Sequence, residues 1–184
     1  IRPRDWSSDV CSSDLGDVST MVDECGAGLS SVVERVRDLT GGVGPVVVSG
    51  HSAGAHLAAM VAVAAEPPVP VRRVALLSGV FDLRPLVATT VNDALGLDTA
   101  SAASLSPMVL PVNRSCSTGA TEVVVAWGDR DTDAFAAQSR AYAATLRRAG
   151  TTVVELECVG RHHFDIVDDA VDRRTDLGRA VVGG

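Results

Sequence analysis

The sequence predicts an α/β domain, a parallel sheet flanked by helices, on two observations. Short runs such as Val74 to Leu77 and Val123 to Trp127 are apolar throughout instead of alternating, as in strands buried on both faces of a parallel sheet. Between such runs lie segments with apolar residues at helical spacing, and strands alternating with helices imply right-handed crossovers.

Taken in order, residues 1–15 contain Ser-Ser-Asp twice, show neither helical nor strand period, and differ in composition from all that follows. They resemble a translated sequencing adapter and are set apart as a non-native or disordered leader, leaving 16–184 as the folding unit. From Val18 onward, Met21, Val22, Cys25, Leu29, Val32, Val33, Val36 and Leu39 follow a 3.6-residue stripe that Gly41-Gly42 ends, so this is an amphipathic helix packed on the domain. Pro45 introduces the strand Val46 to Ser49, and after a sharp turn a small-residue helix runs from Ala53 to Ala65, before Pro67-Pro68. Val74 to Leu77 is the next strand. Residues 78–120 read as a long irregular stretch with short helical pieces near Val91 to Leu95 and Ser101 to Leu105. Insertions above the carboxyl ends of parallel strands commonly shape a substrate pocket. Its last part, 113–120, reads as a mobile surface loop. The strand Val123 to Trp127 leads to a helix with a stripe of Phe135, Tyr142, Leu146 and Ala149 and a Gly150 stop, and Val153 to Val159 is the fourth strand.

Composition narrows the chemistry. At 184 residues one domain is expected, large enough to remove roughly 70% of the unfolded surface from water. The net charge of -7 argues against nucleic acid as a partner. All 16 cationic side chains are arginine, which excludes lysine Schiff-base enzymes and the Walker phosphate loop. With aromatics at 3%, base-stacking platforms lack material. No apolar run approaches the roughly 18 residues of a membrane span, so no membrane association is expected. Cys11, Cys25, Cys116 and Cys158 form neither a C-x-x-C pair nor a ligand spacing with histidine, so they read as idle reduced thiols and no metal site is expected.

The strongest signal is Gly50-His51-Ser52-Ala53-Gly54, a G-x-S-x-G pattern between a predicted strand and a predicted helix. A serine on such a strained turn is lifted above the sheet, and the flanking glycines leave room for strand and helix to approach. The backbone N–H of Ala53, opening the helix, is the candidate oxyanion donor. A serine nucleophile needs a base and an orienting acid at later strand ends, in the order Ser, acid, His. Gly128-Asp129-Arg130-Asp131 follows the third strand and Gly160-Arg161-His162-His163 follows the fourth. Asp131 is the favoured acid, with helix capping as its alternative role and Asp129 and Asp133 as rivals. Of the two histidines we favour His163 as base and read His162 as an exposed neighbour. His51 and His56 lack the i, i+4 spacing of a helical metal pair and read as packing or pocket-lining residues.

Gly50 through Leu57, Ser78-Gly79-Val80-Phe81-Asp82-Leu83-Arg84-Pro85-Leu86, Asn92 through Leu97, Phe135, Gln138-Ser139-Arg140 and His163-Phe164-Asp165-Ile166-Val167 together resemble the kynurenine formamidase (arylformamidase) branch of the α/β-hydrolases. The resemblance covers the chain from Gly16 and implies the roles of nucleophile for Ser52, acid for Asp131 and base for His163. In that family the acid precedes the histidine by 32 positions, the separation of 131 and 163. It further implies a cofactor-independent cytoplasmic enzyme, acting on the small molecule N-formylkynurenine in tryptophan breakdown, and allows a homodimer of the full-length form. The family's His-Gly-Gly motif, which supplies further oxyanion donors, does not occur here. The chain is accordingly expected to be the C-terminal portion of such a domain, with the first strands missing, exposed sheet edges prone to aggregation and poor activity. The rival readings are a carboxylesterase on short acyl esters and a catalytically silent hydrolase-fold fragment.

Overall fold

In the computed structural model, which describes residues 17–67 and 69–183, four parallel strands lie side by side in the order β1-β2-β3-β4. They are β1 (Val46–His51), β2 (Val71–Leu77), β3 (Glu122–Gly128) and β4 (Thr152–Cys158). The leader assigned to 1–15 lies outside the described residues. The register brings His51 opposite Leu77, Leu77 opposite Ala126, and Gly128 opposite Cys158, so the carboxyl ends are level and their loops open on one rim.

The two central strands are buried on both faces, which explains their unbroken apolar runs. On one face Val74, Leu76, Val123 and Val125 pack with helices α2 (Ala53–Ala59) and α6 (Asp133–Arg148), the latter through Tyr142, Ala143 and Leu146. On the other, Ala75, Leu77, Val124 and Ala126 meet Ile166 of α7 (Ile166–Val171) and Leu177 of α8 (Asp176–Val182). These last two helices were not expected from the sequence. At six and seven residues they are too short for a helical period to register, and α8 depends on Thr175, whose Oγ1 accepts from the Gly178 N–H at 2.9 Å.

Helix α1 (Val18–Thr40) begins where the Asp17 carboxylate accepts from the Thr20 N–H at 2.9 Å and ends at Gly41 with φ 75°. Its stripe is only partly covered. Val18 and Val33 are buried, whereas Cys25 is exposed and Val32 and Leu39 are 62% and 69% accessible. Strand β1 shares this openness: Val47 is exposed, and among the described residues no strand pairs with its outer edge.

Helix α2 runs on as a π-helical turn, Met60–Ala64, so one continuous element fills the stretch before Pro67. Its last carbonyls are taken by Asn113, whose Nδ2 donates to Ala62 O at 3.0 Å and Ala65 O at 2.7 Å and whose N–H donates to Val63 O at 2.8 Å. This corrects the expectation of a loose loop at 113–120. Asn113 also caps α5 (Arg114–Ser117), accepting from the Cys116 N–H at 2.9 Å, and Cys116 is fully buried. The short helices α3 (Asn92–Leu95) and α4 (Thr99–Ser104) fall where helical pieces were expected, after a 3₁₀ turn at Arg84–Ala88. Among the described residues no helix is long and apolar enough to cross a membrane.

Candidate active site

Ser52 stands at the rim immediately after β1, with φ 56° and ψ -121°, a left-handed conformation uncommon for a residue with a side chain. The turn is over-determined by its surroundings. The Ser52 N–H donates to Leu77 O at 2.9 Å, while Ser52 O accepts from Ala55 N at 3.0 Å and His56 N at 3.3 Å. A Cβ at position 50 would fall on the carbonyl group of Gly54, so the strand and helix can come this close only with glycine at 50. The second glycine differs from expectation. A Cβ at Gly54 would meet nothing within 4 Å, so no described neighbour demands a small residue there. Ala53 occupies the first position of α2.

Asp131 and His163 arrive from the next rim loops. Asp131 follows β3, its side chain fully buried, with its N–H on Gly128 O at 3.1 Å and its Oδ1 accepting from the Thr132 N–H at 2.9 Å. The N-cap of α6 is Thr132, so Asp131 is not the helix cap. Of the rivals, Asp129 accepts the Gly160 N–H at 2.7 Å and so ties the two loops together, while Asp133 is an exposed first residue of α6. The loop carrying His163 lies directly against the end of β3, where a Cβ at Gly128 would fall on the Arg161 carbonyl and the Arg130 N–H donates to Arg161 O at 2.9 Å.

The result is one chain of contacts. His163 Nε2 lies 2.9 Å from Ser52 Oγ, and His163 Nδ1 lies 3.3 Å from each carboxylate oxygen of Asp131. His162 is exposed and turned aside, its Nδ1 accepting from the Phe164 N–H at 3.1 Å. Two residues beyond those assigned from the sequence shape the site. Phe135 stacks on the His163 ring with centroids 4.2 Å apart, and its position on a helical stripe gave no hint of this contact. Gln138 accepts from the Phe81 and Asp82 N–H groups at 2.7 and 2.8 Å, holding the loop after β2. Among the described residues no cluster of three or more His, Cys, Asp or Glu side chains could hold a metal ion.

A cavity of about 340 Å³ opens in front of Ser52, walled by Val18, Met21, Leu57, Val80, Leu83, Leu86, Val91, Leu95 and Phe135. Apart from Ser52, its one polar lining residue among the described residues is His56, which is buried with Nε2 2.7 Å from Leu105 O. A carbonyl can only accept, so this nitrogen carries the proton. Burial pushes the His56 pKa below the ordinary 6.5, with the Leu105 hydrogen bond pulling weakly the other way. The unfolded chain therefore takes up a proton at pH values where the folded protein does not, and stability should decline as pH falls below 6.5. Urea midpoints measured from pH 7.5 to 5 should fall more steeply for the natural chain than for His56→Gln; equal slopes would remove His56 as the cause.

Comparison with known proteins agrees with this architecture. A family model described as alpha/beta hydrolase fold matches residues 17–165. The kynurenine formamidase of Danio rerio is 30% identical over 161 residues, covering 85% of this chain and 54% of that protein. That of Salmo salar is 31% identical over 164 residues, with the same coverages. The chain thus spans about half the length of these curated relatives. Among solved structures, a Silicibacter protein described as a candidate thioesterase superposes with a TM-score of 0.77 at 22% identity, over 91% of this chain and 60% of that one. Esterase 2 of Thermogutta terrifontis superposes with a TM-score of 0.54 at 21% identity, over 79% and 56%. With its parallel sheet, its strained serine turn and this match over most of its length, the chain belongs to the alpha/beta hydrolase fold family, and the curated members it resembles are kynurenine formamidases.

Proposed function

We propose that the site is that of a serine hydrolase that cleaves the formamide of N-formylkynurenine to kynurenine and formate. The observation that carries this reading is the 2.9 Å contact between His163 Nε2 and Ser52 Oγ, made on a strained turn that faces an apolar cavity. Ser52 Oγ attacks the formyl carbon as its proton passes to His163 Nε2. The backbone N–H of Ala53 donates to the developing oxyanion. Collapse breaks the C–N bond, His163 returns the proton to the departing arylamine, and a formyl-serine remains. Water then adds to the formyl carbon, giving its proton to His163, and formate leaves as Ser52 is restored. Asp131 holds Nδ1–H of the imidazole and stabilises its positive charge. The apolar walls suit the aryl ring of the substrate.

One observation favours a second reading, a carboxylesterase acting on short acyl esters. Among the described residues the cavity lining carries no charged side chain to receive the amino-acid end of N-formylkynurenine. Steady-state hydrolysis of N-formylkynurenine and of p-nitrophenyl acetate, with a fluorophosphonate probe in parallel, separates the readings. The formamidase reading expects the larger kcat/KM on the formamide and probe labelling that Ser52→Ala abolishes. A larger kcat/KM on the ester moves the assignment to the esterase. No turnover of either and no labelling would overturn both, leaving a silent fragment.

A further inference from the structure

We propose that His51 is a positioning residue for the base, holding His163 over Ser52 through a side-chain hydrogen bond to the His163 main chain. The inference rests on the reading of Ser52 as nucleophile and His163 as base, and deepens it.

His51 is the last residue of β1, paired in register with Leu77, and so belongs to the sheet rather than to a loop. Its Nε2 lies 2.6 Å from the carbonyl oxygen of His163, 112 positions away in the chain. Since that oxygen can only accept, Nε2 must carry the proton, and both the neutral Nε2–H form and the imidazolium supply it. The contact joins the end of β1 to the loop after β4, a strand whose axis stands roughly 14 Å from that of β1 at normal strand spacing, so this loop reaches back across the rim. The main chain of this loop is tied at 160 by Gly160 N–H on Asp129, at 161 by Arg130 N–H on Arg161 O, and at 162 by His162 N–H on Asp165 at 2.7 Å and Ile166 N–H on His162 O at 3.3 Å, which leaves the carbonyl of 163 to His51. His51 therefore holds the main chain of His163, beside the ring contacts of Asp131 and Phe135, from the same strand that leads to Ser52. The His51 ring also lies 4.7 Å from the His163 ring, tilted by 48°, while Phe135 stacks on it at 4.2 Å. Main chain and ring of His163 are thus located relative to the strand end and to α6.

A shift of about 1 Å in a catalytic group can cost on the order of 100-fold in rate. The test uses the present chain and a fluorophosphonate probe, resolving the maximal inactivation rate from probe affinity, with thermal midpoints recorded alongside. His51→Leu keeps the bulk and removes the donor; its inactivation rate should fall by about 10- to 100-fold with probe affinity unchanged. His51→Gln keeps an N–H at similar reach and should stay within about threefold of the natural chain. Imidazole ¹⁵N spectra give a readout that needs no activity: His163 should show one fixed tautomer in the natural chain and in His51→Gln, and averaged ring nitrogens in His51→Leu. Natural-rate labelling of His51→Leu, or a Gln variant as slow as the Leu variant at an unchanged midpoint, would overturn the proposal. So would a natural chain in which the His163 tautomer is already averaged. If the natural chain does not label at all, the nucleophile and base assignment falls, while the spectra still decide whether His51 fixes His163.

Discussion

His163→Ala should lower hydrolysis by about 10⁴- to 10⁶-fold, because a serine hydroxyl without a base is scarcely a nucleophile and base and nucleophile act as one unit. The imidazole stands within hydrogen-bond range of the hydroxyl, at 2.9 Å, so in the proposed mechanism the proton has a direct path. Its partner on the other side is less closely held. At 3.3 Å from both carboxylate oxygens, His163 Nδ1 is beyond the roughly 2.7 to 2.9 Å of a strong charge-assisted hydrogen bond, so Asp131 orients more than it binds. Asp131→Asn is accordingly expected to cost less than His163→Ala, by about 10²- to 10⁴-fold, through disturbance of the tautomer. Ester hydrolysis by the two variants, with circular dichroism to verify folding, gives the order. An Asp129→Asn variant that loses more activity than Asp131→Asn, while the sheet stays intact, would transfer the acid role to the loop tie between β3 and β4.

Gly50→Ala should destabilise the protein by about 3 kcal/mol or more, whereas Gly54→Ala should change stability by less than about 1 kcal/mol. The two glycines of one motif meet different surroundings. A methyl group at 50 would strike the Gly54 carbonyl and lie 2.7 Å from the Ala55 nitrogen. Both are main-chain atoms of the first turn of α2, and no rotamer change can move them aside. Relief would require pulling β1 away from the helix, which would break the Ser52 N–H bond to Leu77 O and release the left-handed serine. At 54 the space is open and the residue is already helical, so alanine's better helix propensity offsets any loss. Urea unfolding of both variants decides the matter; a Gly50→Ala midpoint equal to that of the natural chain would mean that the strand and helix are not locked together.

Much of the architecture is legible in the chain because burial on both faces leaves a mark that needs no partner to read. Val123 to Trp127 could hardly be anything but a central strand. Burial itself is less legible at the edges, since the stripe of α1 shows which side is apolar but not that Val32, Val36 and Leu39 would stay exposed. Helices α7 and α8 leave no periodic signal, being shorter than the window in which a period can be recognised. At the site, Ser52 announces itself because a strained turn requires a particular pattern around it. The acid does not. Asp129, Asp131 and Asp133 crowd one loop, and what separates them is which one meets a main-chain N–H across a gap of about thirty residues and which one is turned toward the imidazole. The contacts of His51 and Phe135 with His163 arise only when distant loops meet, so no local pattern could forecast them.

Among the described residues β1 pairs on one side only, which bears on amide exchange. Strands β2 and β3 are bonded on both flanks, and their amides should be the last to yield to solvent deuterium, whereas among the described residues β1 and β4 are each held by a single ladder. The proposed nucleophile thus follows a strand held by one ladder among the described residues, and amide exchange next to Ser52 should report a sub-global opening rather than the unfolding of the whole domain.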